Sequence, residues 1–98
     1  MDRGMITKEM FKKIQDGEFK RPPEQSWRER LVEEYLYLDG KLGRLHRFIE
    51  WSPEFAKLDD HRKRMLIRQL DAMKEYHTVL GERAREEGVW SEITNILQ

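Results

Sequence analysis

Tyr35, Lys41, Arg44 and Arg47 lie close together in the stretch 31-LVEEYLYLDGKLGRLHRFIE-50. Arg44 is three residues from each of the other two cations, so on a helix the three form a basic ridge. An aromatic ring that stacks a base and fixed cations that hold its phosphate are what nucleotide binding requires. A second basic cluster, 61-HRKRMLIR-68, puts Arg64 and Arg68 four residues apart on one face. A solvated helix face is the ordinary reading of such a cluster. An anion site is the alternative, where copies of the helix converge.

Other chemistries find less support. Ser26, Ser52 and Ser91 each read as a helix cap, and none sits in a nucleophile elbow. His46, His61 and His77 are far apart, with no HxxxH pair and no HExxH. His77 falls in a helix seam, where a hydrogen-bonded histidine at a helix–helix contact is the ordinary reading and pairing across a symmetric interface the alternative. The pairs Glu33–Glu34, Asp59–Asp60 and Glu86–Glu87 are explained by solvated faces and caps. With no cysteine there is no disulfide, thiolate metal site or cysteine nucleophile. No metal or other cofactor is expected.

The elements that position these residues are helices. Leu31, Tyr35, Leu38, Leu42, Leu45 and Ile49 step by four and three, as do Leu66, Leu70, Met73, His77, Leu80 and Ala84. That is the 3.5-residue period of helices that pack along a seam. Ser26 and Glu29 form a capping box that starts a long helix over 27–51. Ser52 caps a short turn led by Pro53, and Asp59 or Asp60 caps a second long helix over 60–87, stopped by Gly88. A short first helix runs from Thr7 to Gly17, with Ile6 and Phe11 at staple positions. Pro22 and Pro23 make residues 18–25 an extended connector. A last short helix has Ser91 as its cap.

The expected fold is all-α: an antiparallel helical hairpin over 26–98, with short flanking helices and an N-terminal arm over 1–25. Val32, Leu36, Phe48, Met65 and Ile67 lie outside the strict seams and call for a second surface, so self-association is expected. The length of 98 residues points the same way, since so short a chain buries a thin core alone. Gly40 and Gly43 each cost about 1 kcal/mol relative to alanine inside a helix. Lying near one face, they let a backbone or a flat ligand come close.

The 19 basic and 19 acidic side chains cancel. A neutral chain argues against bulk binding of DNA or RNA, which needs a basic surplus, but allows a small anion held locally. No apolar run approaches the roughly 20 residues of a membrane span, and no signal-peptide core opens the chain, so a cytoplasmic protein is expected.

The patterns 30-RLVEEYLYLDGKLGRLHRFIE-50, 52-SPEFAKL-58 and 66-LIRQLDAMKEYHTVLGERA-84 resemble the phage anti-CBASS protein 2 family, the cyclic-oligonucleotide sponges. The resemblance covers roughly residues 26 to 85. It implies a compact helical hexamer that binds cyclic dinucleotides, and in some members trinucleotides, in pockets between protomers. It implies sequestration without cleavage, in the cytoplasm of the infected bacterium, so that CBASS signalling is blocked. The family's base-stacking tyrosine matches Tyr35. The lysine of its dinucleotide pocket falls on Glu50, of opposite charge, with Arg47 one turn earlier as the substitute. The threonine of its trinucleotide pocket falls on Ser52. The companion arginine falls on Ser91 by ungapped spacing, with Arg83 and Arg85 the arginines nearby. The rival readings are an adaptor oligomer that binds a protein, whose seam residues only pack, and, third, an enzyme.

Overall fold

The first four helices begin where the sequence supplies a cap. In the computed structural model, which describes residues 7–18 and 26–98, five helices follow one another: α1 (Lys8–Asp16), α2 (Trp27–Trp51), α3 (Pro53–Ala56), α4 (Asp60–Glu86) and α5 (Trp90–Leu97). The side-chain oxygens of Thr7, Ser26, Ser52 and Asp59 accept from the backbone N–H groups of Met10, Glu29, Glu54 and Arg62. These bonds satisfy donors that a helix start leaves open. The Ser26 hydroxyl also bonds Glu29 Oε1 at 3.1 Å. Gly17 and Gly88 end α1 and α4 in the left-handed region, at φ 77° and 75°. In each case the next N–H reaches back to a carbonyl of the last turn, Glu18 to Lys13 and Val89 to Ala84. The expected staple residue Ile6, and Pro22 and Pro23, lie outside the described residues.

One expected cap is corrected. Ser91 does not start α5. The helix begins at Trp90 after Val89, with no side-chain cap. Val89 is buried and Trp90 packs on the core, so apolar burial fixes where this helix starts.

α2 and α4 form the hairpin, and α3 makes its turn. The contacts Arg28–Glu87, Glu34–Tyr76 and Asp39–His77 pair rising numbers with falling ones overall, as antiparallel helices do. Leu31, Tyr35 and Leu38 of the first seam and Leu70, Met73, Leu80 and Ala84 of the second are buried between them. Phe48 meets Phe55 of α3 edge-on, with centroids 6.0 Å apart.

The surplus apolar face is covered differently from the expectation. Val32 and Leu36 need no second copy, because both are buried within the protomer, in one core with Ile14 of α1 and Ile93 of α5. Met65 and Ile67 stay exposed. Gly40 explains how α1 gets so close. A Cβ there would stand 2.7 Å from Gln15 Cδ, and Gln15 Nε2 donates to the Leu36 carbonyl. The close approach at Gly40 is therefore made by the chain's own first helix. Arg44 completes that dock by donating to the Gln15 carbonyl at 2.8 Å.

Candidate functional site

The seam places Tyr35 of α2 opposite α4, and α5 closes over it. The ring is 6% exposed. It stacks on His77, with centroids 4.4 Å apart and planes 30° from parallel. Trp90 meets it edge-on at 5.5 Å. His77 Nε2 lies 3.0 Å from Asp39 Oδ1, one turn along α2 from Tyr35. The Arg85 guanidinium sits 4.0 Å from the Trp90 ring centroid. Asp39, His77, Tyr35, Trp90 and Arg85 thus form one continuous run of charged and aromatic groups across three helices. Burial pushes the Tyr35 phenol above its usual pKa; the Asp39 charge adds to this, and Arg85 opposes it.

Chemically, this run offers π-faces and a cation rather than a nucleophile with a base. Arginine over an indole is the kind of surface on which bases stack. The seam pattern located Tyr35 and His77, but their partners Asp39 and Trp90 were not singled out, and Arg85 was named only as an arginine near Ser91. A tryptophan two residues after the helix-stopping Gly88 was the available signal for the lid.

The other expected site residues are spread along the molecule. Arg47 is exposed on α2, and its Nη1 lies 3.3 Å from where a Gly43 Cβ would stand. Ser52 ends α2 and caps α3, accepting from the Glu54 N–H at 3.2 Å. Ser91 is exposed on α5, near Trp90, and its carbonyl accepts from the Thr94 hydroxyl at 3.0 Å. Arg83 is exposed on α4. Tyr35 and Arg47 are separated by about 18 Å of helix at 1.5 Å per residue. One protomer does not bring Tyr35, Arg47 and Ser52 into a single pocket. In the expected ridge, Lys41 and Arg47 are exposed and Arg44 holds α1.

Arg83 instead lines a cleft of about 490 Å³ between α1, α2 and α4, with Trp27, Arg30, Glu33, Glu34 and Tyr37. A smaller apolar cleft of about 270 Å³ lies between α1 and α5, around Phe11 and Ile96. Among the described residues, no three histidines or carboxylates cluster so as to hold a metal ion, and no helix is long and apolar enough to cross a membrane.

A family model described as Sequestin matches residues 25–86, which takes in α2, α3 and the whole of α4. α1 and α5 fall outside that span. No curated protein and no solved structure matches the chain.

Proposed function

This chain belongs to the Sequestin family, the anti-CBASS sponges of cyclic oligonucleotides, and from that premise we propose that it binds and sequesters such messengers without cleaving them. The ligands on this reading are cyclic dinucleotides, with trinucleotides at separate pockets. The work is done in the cytoplasm of the infected bacterium, where holding the messenger keeps the CBASS effector inactive. Residues 26–98 form the sponge domain, and residues 1–25 an arm whose α1 docks on it. The observation that carries the proposal is the family match over both long helices of the hairpin.

The placement of Tyr35, Arg47 and Ser52 along the length of the hairpin supports pockets built between copies, in an oligomer such as the implied hexamer. Arg83 and Ser91 are the further contacts proposed for the trinucleotide pocket. For Tyr35 to stack on a base, one of its two covers has to give way. His77 is tied to Asp39, and Trp90 rides on a helix of eight residues that follows Gly88.

The test is Tyr35→Leu, which keeps apolar volume and removes the π-face. Titrated with a cyclic dinucleotide, it should bind about 10-fold or more weakly, since one base stack is worth roughly 1–3 kcal/mol. Sedimentation and melting on the same sample keep a folding defect apart from a binding defect. Equal affinity in a folded oligomer would remove Tyr35 from the pocket.

A second reading, an adaptor that binds a protein, draws on the exposed stripe Met65, Ala72, Tyr76 and Val79. Each residue stands one position before a seam residue of α4. The sponge predicts ligand-dependent thermal stabilisation and intact ligand on release; the adaptor predicts neither.

A further inference from the structure

The outward face of α4 carries an apolar stripe that the protomer's own core does not use. Met65, Ala72 and Val79 follow one another at seven-residue steps and all three are exposed, Met65 by 45% and Val79 by 43%. A seven-residue step returns to nearly the same side of a helix, so the three form one line about 21 Å long. The helical period puts Gln69 and Tyr76 on the edge of this line nearer the seam, and Arg68 and Glu75 on its outer edge. The inner edge is tied to the protomer: the Tyr76 hydroxyl donates to Glu34, and Gln69 Nε2 lies 3.9 Å from Met73 Sδ. On the outer edge Arg68 lies along the stripe, its Nη1 3.8 Å from Met65 Sδ, and Glu75 is exposed.

The charges on the outer edge decide what fits the stripe. A second α4 laid antiparallel, with a two-fold axis at Ala72, brings together residues equally far from Ala72 on either side. Met65 then packs on Val79 of the other copy. Ala72 meets Ala72, and its small side chain lets the two helices approach closely. Arg68, four residues before the axis, lies beside Glu75 of the other copy, three residues after it and on the same edge. Symmetry makes that pair twice. A parallel copy would set Arg68 beside Arg68 and Glu75 beside Glu75, and both pairs repel. The stripe is therefore complementary to itself in the antiparallel orientation.

We propose that the outward face of α4 is a docking surface for a second copy of this chain, packed antiparallel across a two-fold axis at Ala72, with Arg68 of each copy paired to Glu75 of the other. The proposal rests on the oligomer of the sponge reading and specifies one of its contacts. Tyr35 lies on the seam side of α4 and stays outside this contact.

The test uses the full chain, which has no cysteine, so a single introduced thiol reports position. Ala72→Cys should form a disulfide-linked dimer on mild oxidation, since cysteines at a two-fold centre fall within disulfide reach. Lys74→Cys, exposed on the far side of the helix from the stripe, should not. Charge reversal gives a second readout. In sedimentation equilibrium Arg68→Glu alone and Glu75→Arg alone should each weaken association at least about tenfold, with helical content unchanged. An equimolar mixture of the two variants should recover association, because each repulsive pair becomes attractive between unlike copies. No disulfide from Ala72→Cys, charge reversals without effect, or no recovery in the mixture overturns the proposal. A monomeric wild type overturns it too, and leaves the stripe to a different protein. Titration of the wild type with a cyclic dinucleotide separates this from failure of the sponge reading. Ligand bound with no Ala72→Cys disulfide refutes the pair alone, and a disulfide with no ligand bound refutes the sponge alone.

Discussion

Tyr35 and Glu92 show what burial does to single groups. Tyr35 gains a stacked partner and an edge-on one, and its phenol is kept protonated by its surroundings. The seam period alone was enough to locate this ring. Its neighbours were less legible, because they depend on the register of α4 against α2, and the turn sets that register. Glu92 of α5 is pushed above the ordinary carboxylate pKa, chiefly by burial and then by the nearby Glu29 charge. A raised value means that the docked state favours the protonated form. Its proton-linked stability is full below the ordinary carboxylate pKa and is lost as pH rises through the raised value. At neutral pH the charge therefore works against the dock. Glu92→Gln should raise the melting temperature at pH 7, and the gain should shrink as pH falls through the carboxylate range. Melting curves across pH check this; a gain that stays constant with pH would contradict it.

The helices were legible wherever a cap or a stop fixed them. Ser26, Ser52, Asp59, Gly17 and Gly88 act as the sequence suggests. Ser91 looked like a cap because it precedes an apolar run, but Val89 and Trp90 are drawn into the core first. Val32 and Leu36 looked like surplus because the seams describe two helices, while α1 and α5 share the same core. Gly40 marks where α1 docks. Gly40→Ala gains about 1 kcal/mol of helix propensity in α2. It also forces Gln15 aside, breaking its bond to the Leu36 carbonyl. Hydrogen exchange should therefore quicken in α1 while α2 and α4 keep their protection. Unchanged protection of α1 would mean that Gln15 adjusts without loosening the dock.

At the scale of the molecule, an elongated protomer, 51 Å by 26 Å by 26 Å, leaves part of its apolar surface in water. Trp51 is 80% exposed at the end of α2, and Met65, Tyr76 and Val79 stay exposed along α4. With no net charge to hold copies apart, this surface favours the assembly that the sponge reading requires. Val79→Glu puts a charge in the middle of the stripe. It should shift sedimentation toward the monomer while helical content is kept, and an unchanged sedimentation coefficient would move the interface elsewhere. The central claim is that the chain holds a cyclic oligonucleotide and returns it intact. The most direct test is calorimetric titration with a panel of cyclic di- and trinucleotides, followed by release of the ligand by heat and its chromatography. Saturable binding, with ligand recovered unchanged, is the predicted result, and the stoichiometry per protomer separates dinucleotide from trinucleotide pockets. No heat across the panel, or ligand recovered cleaved, would contradict the claim.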